Sequence, residues 1–193
     1  MSASSVDSAA GPVIAVAGRR IDAPDAPPRF PLDRERDVAD RLRSFLAVRH
    51  AAGLVASAAC GADLIALEEA TALGLPRRIL LPFGRDRFRE SSVTDRPGDW
   101  GPRFDRALDS AGPTGIRVLD AGDGDAAYAA TNDALLDEAA ALAEAAGAAN
   151  RKPPVVALLV WDGTARDGTD LTADFAAKAR SRGIPVAEIR TTK

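Results

Sequence analysis

One short stretch constrains the fold of this chain more than any other, because it combines a buried strand, a turn of small residues and a helix start. Residues 54–56 are uniformly apolar, as expected for a parallel strand that is covered on both faces. The turn over 57–62 holds only small side chains, so a ligand could approach its backbone closely. A helix over 64–74 would aim its free N–H groups and positive dipole end into that space. The pattern predicts an anion site, typically for phosphate, on the amides of residues 60–63.

The rest of the chain alternates apolar strands with helical segments. Strands are predicted over 12–17, 54–56, 78–82, 116–119, 154–160 and 184–189, and helices over 34–50, 64–74, 99–111, 125–149 and from 171 to 180. Asp33 is expected to cap the first helix, and 83–98 is expected to be a long functional or mobile loop. This alternation predicts an α/β protein, a three-layer αβα sandwich with a mainly parallel sheet of about six strands.

Composition sets the domain organisation and the compartment that we expect. No change in composition divides residues 12–193, so they are predicted to form one domain, and the small, polar residues 1–11 are predicted to be a disordered tail. No apolar run approaches the roughly 20 residues that a membrane-spanning helix needs. Cys60 is the only cysteine, which excludes an intrachain disulfide and a cysteine zinc site. We therefore expect a cytoplasmic protein without a membrane partner.

The net charge and the absence of several known motifs argue against some classes of protein. The net charge of −3 argues against general nucleic-acid binding, for which a basic face is expected. The chain has no G-x-G-x-x-G turn after the first strand, no Walker A sequence and no G-x-S-x-G elbow. His50, the only histidine, is predicted at the far end of the first helix, so no Cys–His pair is evident, and no cofactor or metal site is predicted. Magnesium held by Asp162 or Asp170 is left open.

The carboxyl ends of the predicted strands carry most of the residues that suit a ligand, and open α/β sheets bind ligands at these ends. The candidates after strands one and two are Gly18, Arg19, Arg20, Ser57, Ala59, Cys60, Gly61 and Asp63, and those after strands three and five are Pro82, Phe83, Trp161, Gly163, Gly168 and Thr169. They offer arginines for phosphate, two glycine-rich helix starts and aromatic rings for a base. A nucleotide is the simplest ligand that would use all of them.

Each of these residues also has a purely structural interpretation. Gly61 would then only turn the chain, Trp161 would pack in the core, and the two arginines would pair with acids such as Asp22. The Thr169–Asp170 pair would be a helix cap. The sequence leaves both interpretations open.

Three segments together resemble a known superfamily. They are Gly18-Arg19-Arg20 after the first strand, Ala59-Cys60-Gly61-Ala62-Asp63 at a helix start, and Leu81-Pro82-Phe83. This pattern, over residues 13–189, resembles the SLOG superfamily of Rossmann-like domains, which includes the bacterial DNA-processing protein A and the plant cytokinin-activating "lonely guy" enzymes. A bacterial branch with a Gly-His-basic turn and a Phe…Ser-Val segment is the most similar, with Arg19 in place of the histidine and Phe88…Ser92-Val93 for the segment.

The resemblance implies a sensor-type domain that binds a nucleotide or a nucleotide-derived ligand. It also implies an alternative, because the cytokinin-activating enzymes hydrolyse the N-glycosidic bond of a nucleoside monophosphate with a Pro-Gly-Gly-x-Gly-Thr stretch and an acidic residue. The matching stretch, 161–170, keeps Gly168-Thr169 but lacks Pro-Gly-Gly, so Asp170, Asp174 or Asp162 would have to supply the carboxylate. Whether the protein is an enzyme is left open at this point.

Partners follow from the same resemblance. Single-stranded DNA binding, as in the DNA-processing relatives, is disfavoured by the acidic balance of the chain. A sensor module would act through an effector protein or as a homodimer.

Overall fold

The computed structural model describes residues 11–147 and 152–193. The predicted disordered tail therefore lies outside the described residues except for Gly11, and so does the predicted end of the long alanine-rich helix beyond residue 147.

Six strands and six α-helices make up the described chain. The strands are β1 (Val13–Gly18), β2 (Gly53–Ala56), β3 (Arg77–Leu81), β4 (Ile116–Val118), β5 (Val155–Trp161) and β6 (Val186–Arg190). The helices are α1 (Glu35–Val48), α2 (Ala62–Ala72), α3 (Arg85–Ser92), α4 (Trp100–Ala111), α5 (Gly124–Ala146) and α6 (Leu171–Ser181), with short 3-10 turns at Leu32–Arg34 and Pro113–Gly115. Every predicted strand and helix is present, and the predicted ends that fall within the described residues differ by at most two residues.

All six strands belong to one parallel sheet in the order β4-β3-β2-β1-β5-β6. The predicted fold class is confirmed: the protein is a three-layer α/β sandwich of the Rossmann-like kind. Successive strands β1 to β4 are added on one side of β1, and the chain then crosses to the other side for β5 and β6. The order of the strands thus reverses between β1 and β5, and at such a point the flanking loops diverge and leave a crevice.

Two apolar clusters cover the two faces of the sheet. Ile14 and Val16 of β1 belong to the cluster that packs under α1, α2 and α4, whereas Val13 and Ala15 belong to the cluster under α5 and α6. All four side chains are fully buried. A strand that is buried on both faces has no polar side to alternate with, and this explains why β1 reads as a continuous apolar run.

Two sequence-based predictions about local structure are wrong. The segment 83–98 is not a loop throughout, because it contains α3, so two helices separate β3 from β4. Phe88 anchors α3 by packing between Phe83 and Phe104, at ring-centre distances of 6.0 and 6.1 Å. A helix of two turns with one large apolar residue leaves too weak a periodic signal in the sequence.

Asp33 does not cap α1 either, since it lies within the 3-10 turn that precedes the helix and makes no capping hydrogen bond.

Among the described helices, none combines the length and the apolar composition that crossing a membrane requires.

Candidate functional site

A cavity of about 540 Å³ lies at the carboxyl edge of the sheet. Its walls come from the ends of β1 and β2, the loop after β5, the start of α6, helix α3 and the first half of α5. The cavity therefore lies beside the point where the strand order reverses, which is the position where folds of this class bind ligands. Its volume falls in the range of ~300–1,000 Å³ that is usual for small-molecule sites.

Part of the set of residues that the sequence singled out lines this cavity. The lining members are Gly18, Arg19, Arg20, Ser57, Ala59, Asp63 and Thr169, and Asp22, named as a pairing acid, joins them. The cavity is also lined by residues that the sequence did not single out as ligand contacts, notably Arg29, Phe88, Ser91, Ser92, Arg96, Asp125, Tyr128, Thr131, Asn132, Arg166 and Thr172.

Arg19 holds the β5–α6 loop against the end of β1. Its Nε donates to Asp162 at 2.8 Å, and its Nη1 and Nη2 donate to the two carboxylate oxygens of Asp170 at 2.9 and 2.8 Å. Nη2 also donates to the carbonyl of Thr164 at 2.7 Å. The side chains of Arg19, Asp162 and Asp170 are 3%, 10% and 4% exposed, so the network is almost fully withdrawn from water. All three guanidinium nitrogens of Arg19 are thus engaged within the protein.

Asp162 and Asp170, the predicted catalytic carboxylates, are both structural acceptors in this network. Asp170 caps α6 by accepting from the amides of Thr172 and Ala173, each at 3.0 Å, as the helix-cap interpretation predicted. Burial alone would raise the pKa of Asp170, but the hydrogen bonds from Arg19 and from backbone amides outweigh it and lower the pKa to about 2. The second oxygen of Asp162 accepts from Arg29 at 2.8 Å. Neither carboxylate lines the cavity.

The turn before α2 is packed more tightly than the sequence suggested. The amide of Cys60 donates to the carbonyl of Ser92 at 3.0 Å, and the amide of Ala62 donates to the carbonyl of Arg19 at 3.1 Å. A Cβ atom on Gly61 would lie 2.8 Å from the backbone of Arg19 and of Ile21, so Gly61 is required for close packing of two chain segments. Two of the amides predicted to hold phosphate are therefore occupied, and the open part of the turn lies at Ser57 and Ala59.

Asp63 is the one carboxyl of the predicted set that is both buried and part of the cavity wall. Burial raises its pKa to about 7, although a hydrogen bond from the amide of Ala59 and the positive charge of Arg20 oppose the shift. The contact with Ala59 is long, at 3.3 Å, and it is the only hydrogen bond that the described residues make to this carboxyl. Asp63 can therefore both donate and accept a hydrogen bond, or exchange a proton, near neutral pH.

Replacing Asp63 by asparagine should stabilise the free protein above neutral pH. An unfolded aspartate ionises near pH 3.9, whereas folded Asp63 keeps its proton to about pH 7. The wild type should consequently lose stability as the pH rises from about 4 to 7, and the neutral amide should remove this loss, on the order of 1–3 kcal/mol at pH 8. Urea unfolding between pH 5 and 8 measures the difference. Asp125→Asn, at an exposed position of the same cavity, is the control, and parallel pH profiles for wild type and Asp63→Asn would contradict the assignment.

Hydroxyl and amide groups of α3 and α5 complete the polar wall. Ser92 and Tyr128 share a hydrogen bond of 2.8 Å between their hydroxyls. Asn132 donates to the carbonyl of Leu171 at 2.8 Å and to Asp174 at 2.9 Å. The signal for this face is present in the sequence, because Tyr128, Asn132 and Leu135 recur at helical spacing on an otherwise alanine-rich helix. That spacing fits a core-facing stripe equally well, so by itself it does not indicate a cavity.

The remaining predicted contacts lie outside the cavity wall. Phe83 packs against Phe88 and Tyr128, and so supports the wall from behind. Trp161 donates from its ring nitrogen to Glu188 at 3.1 Å and lies 5.6 Å from the Arg19 guanidinium carbon. Cys60, Gly61, Pro82, Gly163 and Gly168 are likewise absent from the wall.

Comparison with known proteins does not extend this description. No protein-family model matches the chain, and no curated protein matches its sequence significantly. The resemblance to the SLOG superfamily therefore stays a prediction from the three segments named above. Within residues 11–147 and 152–193, no group of three or more His, Cys, Asp and Glu side chains is arranged to hold a metal ion.

Proposed function

We propose that the protein is a sensor-type module that binds a nucleotide or a nucleotide-derived small molecule in the cavity beside β1 and β2. The observation that carries the proposal is the composition of the wall, which joins arginine side chains to aromatic, aliphatic and hydrogen-bonding groups in one cavity of about 540 Å³. Arginine side chains bind phosphate, and aromatic, aliphatic and hydrogen-bonding groups bind a base with its ribose.

The cationic part of the wall supports a phosphate contact. Arg166 makes no side-chain hydrogen bond or ion pair with the described residues. Arg166 is exposed as a residue, but partial desolvation of its guanidinium lowers its pKa below the ordinary value, and repulsion from Arg19, Arg29 and Arg20 adds to the shift against the attraction of Asp170. An anion that binds beside this guanidinium relieves the repulsion among the arginines.

The uncharged part of the wall supports a base and a ribose. Tyr128 contributes an aromatic ring to the wall, the buried side chains of Phe88, Ile21 and Leu135 back the wall, and the hydroxyl of Ser92 bonds to that of Tyr128. Asp63 adds a carboxyl whose raised pKa lets it accept from or donate to a ribose hydroxyl or a ring nitrogen. Such a mixture of apolar faces and few polar groups is typical of nucleotide-sized sites.

Binding is tested by incubating the purified protein with a panel of nucleotides, desalting it and reading the retained ligand by mass spectrometry. An intact nucleotide should remain bound to the wild type, and Arg166→Ala should weaken its binding about tenfold through loss of a charge-assisted contact. Arg180→Ala removes an exposed arginine that does not line the cavity, and it should leave the affinity unchanged. Retention of no nucleotide by the wild type, or equal effects of the two substitutions, would reject the proposal as stated.

Cleavage of the N-glycosidic bond of a nucleoside monophosphate is a second candidate function, and the raised pKa of Asp63 is the observation that favours it. The Asp63 proton would pass to the departing base nitrogen as the bond to the ribose breaks. Water would then add to the sugar carbon and return a proton to the carboxylate, which yields free base and ribose phosphate. Asp162 and Asp170 are less suited to this role, because their oxygens accept hydrogen bonds from Arg19 and other groups.

The same incubation separates the two functions. Release of free base by the wild type, with a loss of at least about 100-fold in Asp63→Asn, would establish cleavage through this carboxyl. An unchanged nucleotide after prolonged incubation would reject cleavage, and binding would remain as the only proposed function.

A further inference from the structure

Arg20 differs from its neighbour Arg19 in how its guanidinium is used. Only Nη1 of Arg20 makes hydrogen bonds, at 3.0 Å to the carbonyl of Ser91 and at 2.9 Å to each carboxylate oxygen of Asp95. Nε and Nη2 make none within the described residues. Neither atom is sealed from water, because the one buried side-chain nitrogen or oxygen without a partner in those residues is Nε of Arg34.

The free atoms of Arg20 form a matched pair. In a planar guanidinium, the N–H of Nε and one N–H of Nη2 run parallel, at the spacing of two oxygens on one phosphorus. Arg20 lines the cavity and its side chain is 30% exposed, so this edge is within reach of a ligand. In Arg19 the same edge is already occupied by Asp162 and Asp170.

Asp95 is well placed to hold the Nη1 end of the Arg20 guanidinium while the Nε–Nη2 edge stays free. It lies just after α3, where the amide of the preceding Thr94 donates to the carbonyl of Arg89 at 3.0 Å and anchors the turn. Both of its oxygens face Nη1 of Arg20, the end of the guanidinium away from the free edge. Its second oxygen also lies 3.1 Å from Nη1 of Arg96. Asp95 thus restrains one end of Arg20 without covering the other.

We propose that Arg20 grips a phosphate group of the ligand through its Nε–Nη2 edge, and that Asp95 is the positioning residue that orients this edge. The proposal rests on the proposed function and deepens it, because it names the group of the ligand that is recognised and the residue that sets the geometry. Asp95 acts through Arg20 and does not itself contact the ligand.

The first test compares Arg20→Lys with wild type in titration calorimetry, with inorganic pyrophosphate and adenosine monophosphate as probes. Lysine keeps the positive charge but has no paired edge, so binding should weaken about tenfold or more. Arg180→Lys is the control, since Arg180 is exposed and does not line the cavity, and it should leave binding unchanged. Equal affinities of Arg20→Lys and wild type would overturn the proposal.

A double-mutant cycle tests the role of Asp95. Asp95→Asn should weaken binding about fivefold in the wild-type background and have no further effect when Arg20 is lysine, because the restraint then has nothing to orient. Asp95→Glu should restore part of the loss. Effects of Asp95→Asn that add independently to those of Arg20→Lys would show a general structural role and reject positioning.

The probes also separate this inference from the proposed function. Nucleotide binding that is indifferent to Arg20→Lys overturns the inference and leaves the proposed function standing. Pyrophosphate binding that depends on Arg20, with no nucleotide retained, supports the inference and rejects the nucleotide. Binding of neither pyrophosphate nor adenosine monophosphate overturns the inference, and the nucleotide panel then decides the proposed function.

Discussion

Replacing Arg19 by methionine should destabilise the protein by about 3–5 kcal/mol at pH 7, the range found when one member of a buried ion pair is removed. The substitution leaves the carboxylates of Asp162 and Asp170 without their common cation, at side-chain exposures of only 10% and 4%. Methionine fills a similar volume, so lost packing contributes little. The β5–α6 loop should also loosen from β1, because Arg19 donates to Thr164 as well, while Arg29 still holds Asp162 and Thr164.

Urea unfolding at pH 7 measures this effect, with Arg117→Met as the control. Arg117 is 60% exposed and pairs with Glu138 at 3.4 Å, so its loss should cost less than about 1 kcal/mol. A similarly small cost for Arg19→Met would show that the buried network contributes nothing net to stability.

The pH profile provides a second readout of the same network. The pKa of Asp170 is lowered to about 2 in the folded protein, below the value near 3.9 of an unfolded aspartate. Its contribution is therefore complete above about pH 4 and is lost as the pH falls toward 2. Arg19 is the side chain that lowers this pKa most, so in Arg19→Met the loss of stability over that range should be shallower.

Replacing Gly61 by alanine should destabilise the protein by about 2–4 kcal/mol, from backbone strain and from overlap together. Gly61 has φ of 93° and ψ of −124°, a conformation that residues with a Cβ atom rarely adopt. The added Cβ would also lie 2.8 Å from the carbonyl oxygen of Arg19 and the amide nitrogen of Ile21, and neither backbone atom can rotate away. The end of β1 should shift as a result.

Gly74→Ala is the matched control, because Gly74 also has a positive φ, of 68°, but an added Cβ would meet no neighbouring atom within 4 Å. Its cost should be about 1 kcal/mol, from the backbone conformation alone. Thermal or urea unfolding of both variants gives the difference in their free energies of unfolding. Equal losses of stability would mean that the backbone of Arg19 and Ile21 moves aside at no cost. Loss of ligand binding in Gly61→Ala would reflect this displaced turn and would not by itself identify a phosphate contact.

The fold could be predicted largely from local patterns. The apolar runs of β1 and β5 and the helical spacing of Val38, Leu42 and Leu46 on α1 each signal their element within a few residues. Helix α3 gives no such signal, because its stability comes from Phe88 packing between Phe83 and Phe104, residues that only the folded chain brings together. A short helix held by tertiary contacts leaves little trace in the sequence.

The site could be predicted only in part. The sequence located the carboxyl ends of β1 and β2, and Arg20, Ser57, Ala59 and Asp63 do line the cavity there. It could not separate Arg19 from Arg20, which are adjacent and chemically identical. The partners of Arg19 lie 143 and 151 positions further along the chain, and the partner of Arg20 lies 75 positions away.

The sequence by itself determined which segments form strands and helices, and that the ends of the parallel strands carry arginines, small residues and acids. These properties depend on the spacing of residues along one segment, which local hydrophobic patterning encodes. The tertiary structure alone decided that Arg19 is buried in a closed ion network, that Asp63 keeps its proton to about pH 7, and that Nε and Nη2 of Arg20 bond to none of the residues that the structure describes. The physical reason is that ion pairing and burial depend on which distant segments meet, and charge and solvation change with each such contact.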